Sequence, residues 1–209
     1  MTSGFLEAAM DRGIQRMTSI RFTGRRIRGR RYRVENGRFS LEFPAGSEEI
    51  GIPVCEFRNN STWAVVKAAE SEESFGILLK DTYGKGQMWT LAVPDNFPDL
   101  YKLPGKALTR IRREFPAGGA YLECRAGVSL FPYDNDTLIV YPYVTSISQP
   151  GSAYLHVAGE AKALDMPEGM DFFTGGKRRI EPLYTKDGET VFELRTMPGK
   201  YELYRIIRE

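Results

Sequence analysis

Cysteine and histidine are scarce in this chain, which has two cysteines, Cys55 and Cys124, and one histidine, His156, among 209 residues. Neither cysteine has a second cysteine or a histidine at metal-ligand spacing, so neither a zinc site nor a disulfide framework organises the fold. We expect two reduced, mostly buried thiols, because a reduced cysteine behaves as a small hydrophobic residue. One histidine leaves a single candidate for every role in histidine-dependent catalysis. The sequence therefore predicts no metal and no cofactor.

Long apolar runs are also missing. No stretch approaches the roughly 20 apolar residues that a membrane-spanning helix needs. The first residues, MTSGFLEAAMDRG, lack the cationic start, apolar run and small-residue cleavage site of a secretory signal. These features predict no membrane partner and a cytoplasmic location.

Acidic residues are rare at the start of the chain, where the first 34 residues hold nine arginines, no lysine and only Glu7 and Asp11. Clustered cations of this kind bind polyanions, border the edge of a sheet, or contact a partner chain. Only Tyr32 lies within the run to stack on a base, so nucleic acid is the less favoured partner. For contact with a partner chain, the candidates are Arg25, Arg28 and Arg30.

Helical periodicity is confined to two places. Met1 to Gly13 predicts a short helix capped by Thr2 or Ser3, and the spacing of Ala107, Leu108 and Ile111 predicts an amphipathic helix after Pro104. Between them, alternating patterns and an Asn36-Gly37 turn predict short strands and hairpins. The stretch 83–115 therefore reads as a strand, a proline-rich turn and a helix, which is typical of the last βα unit of an α/β domain.

The chain after Ala120 has a different pattern. Its short apolar segments are separated by glycine, proline, asparagine or aspartate, which is typical of a small antiparallel β-sandwich. His156 alternates with Leu155 and Val157, so we expect a sheet residue with a hydrogen-bond partner. The predicted fold class is mixed α/β and strand-rich. It has a partial α/β domain with extra hairpins at 1–118 and an antiparallel sandwich at 119–209.

Several motifs together resemble the C-terminal part of β-galactosidase-type multidomain glycoside hydrolases and their relatives. They are TSGFLEAAMDRG with FTGRR, YGKGQMWTLAVPDN with LPGKALTRIRR, LFPYDNDTLIVYPY, FFTGG and PGKYELYRI. In that family a catalytic barrel precedes a flavodoxin-like domain, often an oligomerisation module, and then a small β-sandwich. The resemblance spans nearly all of the chain. It implies that residues 1–118 are a remnant of the flavodoxin-like domain.

The chain departs from that family at every catalytic position. It has no Asn-Glu dipeptide, the usual acid/base signature, and no room for a barrel of roughly 250 residues. Amidotransferase relatives of the flavodoxin-like domain carry a nucleophilic cysteine at a strand-to-helix elbow, where this chain has Thr2-Ser3-Gly4. The resemblance therefore carries over structure and no catalytic residue.

Aromatic and acidic residues of the predicted sandwich form a candidate carbohydrate-binding set. It comprises Tyr133, Tyr141, Tyr143, Asp134 and Asp136. Tyr141 and Tyr143 are two apart and share one face of a strand, where they either stack on a sugar or pack in the core. The aspartates either bind a ligand or initiate a turn. Further aromatic candidates are Tyr154, Trp63 and Trp89.

The favoured function is a non-catalytic accessory or assembly portion of a glycoside-hydrolase-like protein. It implies self-association or docking to a chain that carries the catalytic barrel. The alternative is a carbohydrate-binding sandwich module that uses exposed tyrosines. A weaker alternative is a small hydrolase in which Asp95 or Asp134 acts with a second carboxylate.

Overall fold

The computed structural model describes residues 1–36, 39–44, 49–94, 96–124, 127–143, 150–170 and 175–208. The chain is strand-rich and divides into two compact units, Met1–Ile111 and Arg112–Glu209. This division falls within helix Gly105–Glu114, whereas the sequence predicts a domain boundary after that helix, at 118/119.

The two α-helices lie where periodicity predicts them. Helix α1 spans Ser3–Ala9, and the hydroxyl of Thr2 caps it by accepting a hydrogen bond from the Phe5 N–H at 3.3 Å. Helix α2 spans Gly105–Glu114. Shorter 3-10 segments lie at Met10–Arg12, Ile14–Arg16 and Phe97–Lys102. No helix of the described residues has the length and apolar character that a membrane crossing requires.

The described residues of the first unit form seven strands in two sheets. The strands are β1 (Arg21–Gly29), β2 (Arg31–Asn36), β3 (Phe39–Pro44), β4 (Ile50–Glu56), β5 (Trp63–Glu70), β6 (Glu73–Tyr83) and β7 (Gly86–Leu91). β1 pairs with β4, and the other five form one sheet in the order β3-β2-β5-β6-β7. Strand β4 lies against β6 and β1 lies against β5, so the two sheets enclose a core. Fully buried core residues include Ile20, Ile52, Val54, Val66 and Leu78.

The pairing of β7 corrects the expectation for the stretch 83–115. Tyr83 pairs with Gly86 across a two-residue loop, in which Gly84 adopts a left-handed φ of 58°, so β7 is the second strand of a hairpin with β6. All strand ladders of the described part of this unit are antiparallel, and its parallel pairing is the isolated bridge from Thr2 to Leu91. A flavodoxin-like domain has a parallel sheet. The flavodoxin-like remnant is therefore not confirmed.

Two bulges interrupt the pairing of β5 with β6. Ala64 pairs with Leu79 and Val66 with Leu78, which leaves Val65 as an extra residue on β5. The next pair joins Lys67 to Gly76, which leaves Ile77 as an extra residue on β6. The first extra residue lies on β5 and the second on β6, so the pairing beyond both bulges returns to its original register.

The second unit contains two antiparallel sheets that share one core. Its strands are β8 (Ala120–Glu123), β9 (Val128–Pro132), β10 (Thr137–Pro142), β11 (Gly151–Ala158), β12 (Ala163–Met166), β13 (Arg178–Ile180), β14 (Tyr184–Lys186), β15 (Glu189–Thr196) and β16 (Glu202–Ile207). One sheet has the order β13-β12-β16-β10-β9 and the other β14-β15-β11-β8. Leu138 and Tyr204 of the first sheet and Leu155 and Phe192 of the second belong to one buried cluster. This two-sheet arrangement agrees with the antiparallel strands expected after Ala120.

Candidate functional site

The three arginines considered for partner contact lie at exposed positions of strand β1 or directly after it, and each has a glutamate nearby. Arg25 Nη2 lies 3.8 Å from Glu73 Oε2, while Arg28 Nη1 and Arg30 Nε lie 3.6 Å and 2.9 Å from the carboxylate of Glu49. Exposed pairs of this kind contribute about 0 to 1 kcal/mol each. They do, however, offset part of the positive charge along the run.

The five candidate carbohydrate residues do not form one cluster. Tyr141 lies in β10 and Tyr143 directly after it, with ring centroids 5.2 Å apart and an interplanar angle of 78°. The Tyr143 hydroxyl lies 2.9 Å from Ser129 Oγ, and Tyr143 is 44% exposed. Because the two rings are nearly perpendicular, they do not make a single flat platform.

Tyr133, Asp134 and Asp136 lie at the opposite end of the same hairpin, in the turn between β9 and β10. Tyr141 lies three positions along β10 from Leu138, which pairs at the turn end, and this separates the two groups by roughly 10 Å or more. Asp136 adopts a left-handed φ of 57°, and its carboxylate accepts a hydrogen bond from Arg208 Nε at 3.2 Å. The geometry of Asp136 is therefore that of a turn residue.

The other acidic candidate region, near the turn after β7, is only partly described. Asp95 lies outside the described residues. Asp99 accepts a hydrogen bond from the Asn96 side chain at 3.2 Å and lies 2.9 Å from Lys102 Nζ. These contacts tie Asp99 to its own 3-10 turn. Among the residues that the structure describes, no group of three or more histidine, cysteine or acidic side chains is arranged to hold a metal ion.

The sequence pattern predicts only part of the cluster that surrounds His156. Leu155 and Val157 point into the core as predicted, and His156 Nδ1 on the other face contacts the carboxylate of Glu189. The Tyr121 ring stacks on the imidazole with centroids 4.4 Å apart, and its hydroxyl donates to Glu189 Oε1 at 3.1 Å. Burial, followed by the negative charge of Glu189, raises the pKa of Tyr121.

The second imidazole nitrogen of this cluster faces a different carboxylate. His156 Nε2 is buried, has no hydrogen bond from the described residues, and lies 3.6 Å from Glu123 Oε2. Strand pairing explains how the group assembles, because His156 lies opposite Tyr121 on β8 and opposite Val191 on β15. The alternation of apolar residues around His156 predicts that it lies in a strand. Its partners depend on how strands distant in the sequence pair, which the local pattern does not determine.

An exposed apolar edge on the first unit was not predicted. Leu41 of β3 pairs with Val34 of β2, which in turn pairs with Val66 of β5, so the three side chains share one face. Val66 is fully buried and Val34 is buried, but Leu41 is 52% exposed and Phe39 on the same strand is 77% exposed. We call Phe39 and Leu41 the β3 edge patch. Strand β3 is the border of its sheet, so this patch continues a buried face into solvent.

Comparison with known proteins adds no family assignment: no family description matches the chain, and no curated protein matches it.

Proposed function

We propose that this protein is a non-catalytic accessory and assembly portion of a glycoside-hydrolase-like protein, which associates with itself or docks on a chain that carries a catalytic barrel. The β3 edge patch is the observation that carries the proposal. An apolar sheet face that continues beyond its core onto an edge strand is a natural place for another protein surface to pack. The motif resemblance and the two-sheet second unit support the glycoside-hydrolase-like context.

The arrangement of acidic side chains also supports an accessory role. Asp136 bonds to Arg208, Asp99 bonds to Lys102, and Glu189 contacts His156. Retaining and inverting glycosidases instead place two carboxyl groups on either side of one sugar-binding cleft. Asp136 and Asp99 instead stabilise turns, and Glu189 contacts a residue of a neighbouring strand.

Sedimentation velocity of the full chain tests the proposal, first alone and then with a candidate barrel-containing chain. We expect association at tens of micromolar that the double change Phe39→Ser and Leu41→Ser abolishes, with the melting temperature retained. The matched control is Leu183→Ser, since Leu183 is 51% exposed and lies in the other unit. A chain that stays monomeric and binds no barrel partner at these concentrations would contradict the assembly role.

A further inference from the structure

Both tryptophans of the chain meet in one cross-strand row of the first unit. Trp63 of β5 pairs with Lys80 of β6, and Lys80 pairs with Trp89 of β7. Directly paired residues of antiparallel strands share a face, so Lys80 lies between the two indoles. Its Nζ is 5.4 Å from the centroid of the Trp89 ring, a cation–π distance.

The Trp63 ring is unusually open to solvent. Tryptophan is highly buried on average, because its large apolar ring gains much from leaving water, yet Trp63 is 66% exposed. It borders an open groove of about 760 Å³, which is within the size range of small-ligand sites. An accessible indole face at the side of a groove suits a ligand with a flat apolar surface.

Polar side chains line part of the groove, beside the apolar Phe57, Ala64 and Val65. Glu35 and Lys67 form an ion pair of 3.0 Å, which holds a carboxylate and an ammonium group in place. Gln87 contributes an amide, and Arg110 of α2 lines the groove from the helix. An aromatic face surrounded by several donors and acceptors matches a sugar ring, which combines an apolar C–H face with hydroxyl groups.

The charge of the groove narrows the ligand class further. Glu35 offsets Lys67, whereas Lys80 adds a further positive charge. The groove therefore has a cationic excess beside an aromatic platform. Single-stranded nucleic acid shares these preferences, but it needs a track of cations along its backbone. No arginine of β1 lines the groove, and Arg25, Arg28 and Arg30 lie beside Glu73 or Glu49.

We propose that this groove binds an acidic saccharide, with Trp63 stacking on a sugar ring and Lys80 facing a carboxylate group. None of the groove residues belongs to the β3 edge patch, so this proposal and the assembly role can fail separately.

Titration of the full chain with tetragalacturonate, followed by tryptophan fluorescence, tests the proposal directly, because both fluorophores lie in the row. We expect a saturable change that weakens as salt is added. Calorimetry then measures the variants, since Trp63→Ala removes one fluorophore. We expect Trp63→Ala to weaken binding by about tenfold or more and Lys80→Gln to weaken it severalfold, with unchanged melting temperatures.

The controls distinguish binding in this groove from nonspecific binding. Tyr184→Ala removes an aromatic ring of similar exposure, 53%, in the other unit, and we expect it to bind tetragalacturonate as the unaltered chain does. Neutral cellotetraose should bind more weakly than tetragalacturonate. Should Trp63→Ala lower the melting temperature, Trp63→Tyr, which keeps a ring, should retain most of the binding. The proposal is overturned by absent saturation, by equal binding of cellotetraose, by unchanged affinity in Trp63→Ala, or by binding of a thymidine oligonucleotide alone.

Discussion

Thr18 and Asp81 are joined by a buried hydrogen bond, in which the Thr18 hydroxyl donates to Asp81 Oδ2 at 2.9 Å. The same carboxylate accepts from the Ser19 N–H at 3.3 Å, the Ser61 hydroxyl at 3.1 Å and the Thr82 N–H at 2.9 Å. Asp81 is only 1% exposed. One side chain of β6 thus fastens the segment before β1 and the turn before β5 to the large sheet.

We predict that Asp81→Asn lowers the free energy of unfolding by about 1 to 3 kcal/mol at pH 7, because the amide replaces one accepting oxygen with a donor facing other donors. Burial raises the pKa of Asp81, but hydrogen bonds from Thr18, Ser19 and Ser61 outweigh that effect and leave the pKa below its ordinary value. The stability that this carboxylate contributes is therefore present above its unfolded pKa of about 3.9 and is lost as pH falls through the folded pKa.

Urea unfolding of both proteins between pH 7 and pH 3 measures this contribution. The difference between the unaltered chain and Asp81→Asn should narrow as the solution becomes more acidic. Asp134→Asn, at an exposed turn position, serves as the control and should leave the curve unchanged. A difference that stays constant across this range would show that the charge of Asp81 does not stabilise the fold.

We predict that Gly29→Ala destabilises the first unit by about 1 to 3 kcal/mol through overpacking. A Cβ at Gly29 would lie 2.9 Å from Tyr32 Cζ and 3.1 Å from Ile52 Cδ1, and both of these side chains are fully buried. Gly51, on the paired strand β4, has no atom within 4 Å of the same position. Thermal unfolding should show a lower midpoint for Gly29→Ala and little change for Gly51→Ala.

We predict energetic coupling between His156 and Glu189. A double-mutant cycle with His156→Ala and Glu189→Ala should give a coupling of about 0.5 to 3 kcal/mol, because the two groups are in direct contact and share Tyr121 as a neighbour. Glu193 lies on the same strand but pairs with Tyr154, so His156→Ala and Glu193→Ala should be additive. Equal coupling in both cycles, measured by urea unfolding, would argue against a specific contact.

We predict that the two thiols differ in reactivity. Burial raises the pKa of Cys55 to about 11, so at pH 8 almost no thiolate is present and the sulfur is also inaccessible. Cys124 is partly exposed, and its Sγ accepts a hydrogen bond from Arg112 at 3.1 Å. Iodoacetamide labelling followed by mass spectrometry should modify Cys124 first and Cys55 only in urea. Labelling of Cys55 in the folded chain would contradict its burial.

Local features were predictable where a few neighbouring residues determine them. The Thr2 cap and the buried face of α2 both follow from residues close together in the chain. The direction of strand pairing does not follow in this way. The segment ending at Leu91 has the same residue pattern in an antiparallel hairpin as in a parallel βα unit. The α/β expectation for 1–118 therefore rested on the order of strand, turn and helix along the chain and on the family resemblance.

The candidate sites were less predictable than the strands, since they depend on register. Tyr133 and Tyr141 are close in sequence, yet the hairpin places them at opposite ends. Trp63, Lys80 and Trp89 are far apart in sequence and become neighbours through two strand pairings, one of which contains bulges. No pattern of neighbouring residues in the sequence predicts that these three side chains meet.

The paired bulges at Val65 and Ile77 restrict how the length of these strands can change. Deleting either residue alone would shift the pairing on one side by one position and turn every following side chain to the opposite face. Deleting both would restore an uninterrupted ladder and keep the Trp63 and Lys67 ends of β5 opposite their present partners. Insertions and deletions in β5 and β6 therefore preserve this register only as compensating pairs.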